Sequence, residues 1–301
     1  MKNSMTVGWI GLGKMGSPMS RHLAAAGHSL HAYDPVPEAR VPVAAAGGRI
    51  EADAAAVAAV APIVFTSIPN DDVLRTLVLG PEGLARRMEP GSILVETSTV
   101  SPRVSIEVAE ALKAAGVHYL RAPLSGSTAT AEAGKLTVLA SGEKEAYRRV
   151  EPLLATFSSR QFYLGAGEEA RYLKLAINML VGATSALIAE ALTFGQKGQL
   201  SIDQMLEVIC ESAVASPLIA YKRDMLERRD FAPAFTIEQM IKDFDLLVDA
   251  AREEQVPVFL TGLIRQQYEA ARAQGQGGRD FFVLLEQYEA MAGMGRQPLA
   301  G

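Results

Sequence analysis

The sequence predicts an α/β domain followed by an all-α domain, the two joined by a long helix. Three observations carry that prediction. Short β-like runs alternate with helical patterns through the first half, the signature of a parallel sheet. The first run ends in a G-x-G-x-x-G that opens a helical pattern. After about Gly165 the β-runs stop, and a long periodic pattern from Glu168 to Gly198 leads into further helices.

The elements follow in order. Val7–Ile10 is an apolar run that reads as the first strand, and Met15, Met19 and Leu23 mark the helix after it, Met15–Ala26. Between them, Gly11, Gly13 and Gly16 stand where a dinucleotide-binding turn needs them. Gly11 allows a tight turn, Gly13 lets backbone approach a pyrophosphate, and Gly16 lets helix and strand pack closely. Leu12, Lys14 and Met15 complete that loop. The helix N-terminus offers unpaired N–H groups and a partial positive charge to the phosphates. The α/β domain is therefore read as a Rossmann domain.

Ser29–Tyr33 is the second strand, and Asp34 closes it. A carboxylate at that point accepts from the ribose hydroxyls of NAD and repels a 2′-phosphate. Pro35, Val36 and Pro37 follow, so no arginine sits directly beside it; Arg40 is the nearest. NAD is expected over NADP. The plainer reading, that Asp34 opens a turn before Pro35, stays open.

Further strands are expected at Ile63–Ser67, Ser92–Glu96 and Val117–Arg121, with Leu136–Ser141 and Gln161–Tyr163 extending the sheet. The helices between them are expected at Asp53–Ala59, Asp71–Leu77, Pro102–Ala115 and Glu143–Phe157. Ser101 can cap the third of these, with Pro102 in its first turn. The second half is expected to hold helices at Ser201–Ser212, Pro217–Arg229, Thr236–Glu254, Leu260–Gln274 and Asp280–Ala292. Gly165-Ala166-Gly167 is the natural border between a dinucleotide-binding domain, 1–165, and an all-α domain, 166–301.

Bulk properties narrow the function classes. The chain is 49% hydrophobic and 21% charged, enough for a substantial core. Its formal charge is −5 and it has no basic run, so nucleic acid and anionic membranes are poor partners. Cys210 has no second cysteine to pair with, which suits a reducing compartment. No secretory leader is apparent, and a cytoplasmic protein is expected. The most membrane-like stretch, Leu175–Ala189, holds Asn178, Thr184 and Ser185 and is too short to span a bilayer, so it is read as a buried helix. No metal site is expected.

Three segments carry chemistry. Arg121-Ala122-Pro123-Leu124-Ser125-Gly126-Ser127 follows a strand and can offer N–H and hydroxyl groups to a carboxylate; alone, it reads as a surface turn. Lys174 and Asn178 are one helical turn apart on one face, with Leu175, Ile177, Leu180 and Val181 around them. A lysine in an apolar cleft has a lowered pKa, which suits proton exchange near neutral pH. Periodicity leaves a snorkelling surface lysine equally open. Lys242-Asp243 reads, by itself, as a solvated pair.

Taken together these pieces resemble the β-hydroxyacid dehydrogenases, the group of 3-hydroxyisobutyrate dehydrogenase, tartronate semialdehyde reductase and the plant-type glyoxylate/succinic semialdehyde reductases. The resemblance rests on Ile10–Met19, Ser98-Thr99-Val100-Ser101-Pro102, Ala122–Ser127 with Ala131–Gly134, Gly165-x-Gly167 leading to Lys174 and Asn178, and Lys242-Asp243. It implies that Lys174 is the catalytic proton carrier and that Asn178 orients it and the substrate. It implies that Ser125, Gly126 and Ser127 hold a substrate carboxylate, that Thr99 meets the nicotinamide half, and that Pro69 and Asn70 cover the cofactor. Lys242 would reach the cofactor or substrate from the helical domain. The resemblance further implies a homodimer or homotetramer formed through that domain.

There are departures. Many family members carry Asp where this chain has Arg121, and Gly where it has Ser127. Arg121 is open to two readings, help to an acid substrate or pairing on the surface, and Arg171, three residues before Lys174, is left open in the same way, facing the cleft being one reading. Imine reductases share the architecture but usually carry Asp or Tyr where Lys174 stands, so Lys174 argues against imine reduction. A non-catalytic cofactor-binding scaffold would lose the lysine.

Overall fold

The computed structural model describes residues 4–295 and divides into two compact units between Lys174 and Leu175. The first unit is built on a nine-stranded sheet. Its strands are β1 (Thr6–Ile10), β2 (Ser29–Tyr33), β3 (Arg49–Ile50), β4 (Ile63–Thr66), β5 (Ile93–Glu96), β6 (His118–Arg121), β7 (Leu124–Ser125), β8 (Leu136–Gly142) and β9 (Ser158–Gly165). The order β3-β2-β1-β4-β5-β6 is parallel throughout. β8 then runs antiparallel to β6 and β7, and β9 pairs parallel with β8.

Apolar runs explain the sheet. Every residue of β4 and β5 is buried, as a strand covered by helices on both faces requires. Alternate residues feed two cores: Ile63, Phe65, Ile93 and Val95 on one face, Val64 and Leu94 on the other. Trp9 stacks on Phe65 at 5.0 Å and meets Phe157 edge-on at 5.9 Å, filling the first core beneath the glycine loop.

The chain leaves β1 toward β2 and β3, then returns to β4 on the other side. That reversal opens a crevice beyond the carboxyl ends of β1 and β4. The turns after β1, β2, β4, β5 and β6 all lie at this edge.

The expected strands and helices form with ends shifted by a few residues, and three helices come in addition. Pro37–Ala45 is helical, with Pro37 in the first turn and Pro42 held inside. Leu84–Arg87 is a single turn, and Thr128–Glu132 follows the Ser127 cap. The two-residue strands β3 and β7 are likewise additions.

The second unit is helical: Ile202–Glu211, Pro217–Arg228, Ile237–Glu253, Phe259–Ala271 and Leu284–Met291 pack with most of the long helix Glu169–Lys197. Phe259–Ala271 runs on into a π turn, Arg272–Gln276. Inside this unit Lys222 pairs with Asp280 at 2.7 Å, both buried, and the ammonium lies over Phe281 at 5.2 Å. Cys210 is partly buried against the same core. The long helix has 29 residues and fills the expected span Glu168–Gly198, with the Leu175–Ala189 stretch inside it. By length and composition alone it could cross a membrane. Ala186, Ile188, Ala189 and Leu192 instead belong to the core of this unit.

Burial pushes the phenols of Tyr268 and Tyr119 up. A tyrosine in the unfolded chain ionises near pH ~10, so the unfolded state releases its proton first and stability falls as pH rises past that point. Urea titrations from about pH 9 to pH 11 check this. Tyr268→Phe should lose less stability across that range than the parent chain, whereas identical slopes would show that Tyr268 is not the titrating group.

Candidate active site

The glycine loop is fixed from three sides. Gly11 has φ +92°, and a Cβ there would strike the Ser67 carbonyl. A Cβ on Gly16 would strike the Gly11 carbonyl, so helix Gly16–Ala25 can approach β1 only with glycine. Trp9 Nε1 donates to that same carbonyl at 3.0 Å. Above Gly13, by contrast, a Cβ would meet nothing within 4 Å. The helix that follows has no side-chain cap, which leaves its first N–H groups facing the loop. Open space at Gly13 and an uncapped helix start fit a pyrophosphate.

Asp34 is buried and already holds two bonds. Oδ2 accepts from Leu12 N at 2.6 Å and Oδ1 from Val36 N at 2.8 Å. The carboxylate thus ties the glycine loop to the end of β2, and each oxygen keeps capacity for a ribose hydroxyl. Arg40 lies over Tyr33 at 5.2 Å, and its Nε donates to the Asp34 carbonyl at 2.5 Å.

The next two turns are stitched together. Ile68 N donates to Ser98 Oγ at 2.7 Å, and Ser101 N to Asp71 Oδ1 at 2.9 Å. Pro69 lies in the first turn, where Asn70 caps helix Asp71–Leu79 through Val73 N. Thr99 lies in the second, between Ser98 and the helix cap Ser101.

Ser125 ends β7, and Gly126 leads to Ser127. The Ser127 hydroxyl caps helix Thr128–Glu132 through Thr130 N, and Thr130 Oγ1 accepts in return from Ser127 N at 2.7 Å. That reciprocal box gives Ser127 a local task as well as the expected one toward substrate.

Lys174 lies half-buried in the second turn of the long helix, whose start is gripped by the sheet. Ser141 Oγ accepts from Ala170 N and donates to the Gly167 carbonyl at 2.8 Å. Arg121 pairs with Glu168, and Arg171 with Glu96. Arg171 also donates to the Ser98 carbonyl at 2.6 Å and to Tyr119 Oη at 3.0 Å. Two expectations change here. Arg121 is buried and paired, neither a surface partner nor a cation held out to substrate, and it lies over the Tyr119 ring at 4.6 Å. Arg171 is bonded into the sheet end, not turned toward a cleft. Burial pulls the Arg171 guanidinium toward neutrality, but Glu96, Tyr119 and Glu168 outweigh it, and its pKa is raised. It carries a permanent charge.

In the helical unit, Asn178 is buried and donates through Nδ2 to Asp243, whose other oxygen pairs with Lys242 at 2.9 Å. Asp243 is buried, not solvated, and sequence reasoning passed over it: a Lys-Asp dipeptide carries no mark of burial. Leu180, expected on the Lys174 face, points away and is 63% exposed.

This arrangement, a Rossmann sheet with a phosphate loop and a lysine set beside its carboxyl edge, is that of a nicotinamide-dependent oxidoreductase. Residues 6–165 match the NAD binding domain of 6-phosphogluconate dehydrogenase, and residues 165–288 match the NAD-binding domain of NADP-dependent 3-hydroxyisobutyrate dehydrogenase. The chain is 32% identical to 2-(hydroxymethyl)glutarate dehydrogenase of Eubacterium barkeri over 98% of each protein. It is 31% identical to L-threonate dehydrogenase of Cupriavidus necator over 94% of this chain and 96% of that one. The 3-hydroxyisobutyrate dehydrogenase of Mycobacterium tuberculosis, solved with L-serine, superposes with a TM-score of 0.87 at 27% identity, covering 95% of this chain and 99% of that one. The chain belongs to the β-hydroxyacid dehydrogenase family and is an NAD(P)-dependent oxidoreductase interconverting a small hydroxy acid and its semialdehyde.

Because Asp34 holds the glycine loop through Leu12 N and is expected to accept from the ribose, Asp34→Ala should weaken NADH binding by about tenfold or more, the loss of charge-assisted hydrogen bonds. Fluorescence titration of NADH reads this directly. An unchanged Kd would free both the loop and the ribose from any dependence on Asp34.

Proposed function

We propose that this enzyme uses Lys174 as its general acid and base, prefers NAD, and acts on a small hydroxy acid held by its carboxylate. The observation that carries the proposal is the bond from Arg171 to the Ser98 carbonyl. Lys174 follows Arg171 by one turn, about 4.5 Å along the helix axis, and Thr99 is the next residue after Ser98. The lysine and the turn expected to meet the nicotinamide are thus held by one link.

A bound nicotinamide supplies or accepts the hydride. The protein's part is to manage charge on oxygen. In reduction, negative charge grows on the carbonyl oxygen, and the Lys174 ammonium stabilises it and delivers a proton; in oxidation the neutral amine removes the hydroxyl proton. Ser125 and the Gly126 N–H stand at the end of β7, suited to a carboxylate, and Ser127 shapes that turn through its reciprocal bonds with Thr130. Asn178, one turn beyond Lys174, is oriented by Asp243 and presents an amide to the substrate or the lysine. Lys242 is assigned to the cofactor or substrate. The two curated relatives are both named for hydroxy acids, which supports that substrate class. Asp34 supports NAD, and Arg40 is bonded to backbone carbonyls beside it. Residues 1–165 are read as the cofactor domain and 166–301 as the substrate and oligomerisation domain, in a protein of the cytoplasm.

Absorbance assays with NADH and NADPH against glyoxylate, succinic, tartronate and methylmalonate semialdehydes, plus a cyclic imine, test the reading. Turnover of an acid semialdehyde with NADH is expected. Lys174→Ala should then lower kcat on the order of 10²–10⁴-fold with NADH still bound; substantial residual turnover would sink the lysine mechanism, and activity on the imine alone would overturn the substrate class.

The helical unit supports a homo-oligomer. Leu180, Leu187 and Phe194 recur every two turns of the long helix, 63%, 63% and 82% exposed, and Phe259, Leu260 and Leu263 stand exposed on another helix. We assign the stripe to a second copy of the chain. Each such side chain contributes about 1.5–3 kcal/mol when covered, so Leu187→Asp with Phe194→Asp should convert a dimer or tetramer to a smaller species in light scattering. An unchanged mass would place the interface elsewhere.

A further inference from the structure

Two acidic and two basic side chains meet under the carboxyl edge of the sheet: Glu96 at the end of β5, Arg121 at the end of β6 and Arg171 in the first turn of the long helix, all buried, with the half-buried Glu168 just before that helix. Arg121 Nε and Arg171 Nε both reach Ser105 Oγ at 3.4 Å, and Tyr119 lies between the two guanidiniums. Glu96 further accepts from Ser98 N at 2.7 Å, so the carboxylate and the guanidinium grip the same residue by its N–H and its carbonyl. One Glu168 oxygen is buried without a hydrogen-bond partner among the described residues, a cost that an apolar contact would avoid.

We propose that Arg171 is a positioning residue of this active site: through Glu96, Ser98 and Tyr119 it sets the height and rotation of the first turns of the long helix, up to Lys174, over the sheet edge, and with them the place of the Lys174 ammonium. Arg121 and Glu168 act with it, tying the same helix start to the strand that leads into Ala122–Ser127. Geometry favours this over a purely stabilising role. A guanidinium donates in several fixed directions at once, so it fixes orientation where a single ammonium would not. The proposal rests on the reading of Lys174 as the proton carrier, and it concerns no group that touches substrate.

The test compares the full-length protein with Arg171→Lys and with the double variant Glu96→Gln/Arg171→Met. The double variant removes both charges together and keeps an acceptor for Ser98 N, so it escapes the penalty of one unpaired buried charge. Thermal melting first establishes that each is folded. Lysines are then labelled by reductive methylation with ¹³C, and the Lys174 signal is assigned by its loss in Lys174→Ala. In parallel, kcat and KM are measured on unlabelled protein. A displaced Lys174 resonance in the folded variants, with kcat lowered about tenfold or more and NADH affinity retained, is expected. An unmoved resonance overturns the proposal, as does a kcat that recovers along with melting temperature in the double variant. Should the double variant fail to fold, Arg171→Lys decides by the same two readings. Absence of turnover in the parent protein would instead overturn the function proposed above, and the Lys174 resonance would still decide the role of Arg171.

Discussion

Glu96 is a carboxylate with 0% exposure, set at the end of a strand whose every other residue is apolar. Such a group is tolerated only beside a permanent opposite charge with its remaining lone pairs bonded. Arg171 supplies the charge, and Ser98 N supplies a further bond. Breaking one partner of such a pair costs about 3–5 kcal/mol, a large share of the stability of an ordinary domain. Replacing both by apolar groups is often neutral or favourable, so stability alone does not explain why the pair is there. What it does fix is direction. The helix that carries Lys174 is the next element after the sheet, and without the pair its first turns would be held by Ser141 and by Arg121 with Glu168.

The cofactor edge obeys the same logic with a different constraint. Glycine at 11 and 16 brings helix and strand together, and Asp34 then braces the loop from the neighbouring strand. The same bonds leave each carboxylate oxygen with accepting capacity, which is what the ribose contact expected of Asp34 requires. Ser127 shows a comparable economy: its hydroxyl caps a short helix while its backbone N–H stays within the loop assigned to the carboxylate, engaged by Thr130. In both places a residue expected to recognise ligand is also one that shapes the turn.

Much of this was legible in the sequence because it rests on local chemistry. Ser29–Tyr33 forms as expected because an alternating run, with Leu30 and Ala32 turned inward, is closed by Asp34 and Pro35. The glycine motif fixes its own turn, and Ser101-Pro102 caps and opens a helix as those residues do anywhere. What escaped depends on distant partners. Arg171 meets Glu96 and Ser98 from another part of the chain, and nothing around Arg171 marks it as buried. Arg121 and Glu168 are the same case. Asp243 looked like one half of a surface pair because its burial depends on Asn178, on another helix. Leu180 was misplaced for a local reason: at 100° per residue it falls behind the face that Lys174 and Asn178 share. The helix Pro37–Ala45 was not among the expected elements: it is short, alanine-rich and carries Pro42 inside, so it has little apolar periodicity to mark it.

The long helix Glu169–Lys197 brings these constraints into one element. Its composition would suit a lipid environment, yet its first turns carry Arg171, Lys174 and Asn178, and its middle supplies Ala186, Ala189 and Leu192 to the core of the helical unit. Small residues at those core positions let other helices approach closely. The leucines and Phe194 that remain outside would be costly to leave in water along a whole face. A membrane would cover them on every side, whereas the helix is apolar on its outer side only in a stripe with a period of seven. That is the pattern of a helix packed against another helix. The hydrophobicity of this element therefore follows from feeding the core of the helical unit on one face and, in the homo-oligomer proposed above, a second copy on the other, with a charged start bonded to the sheet end.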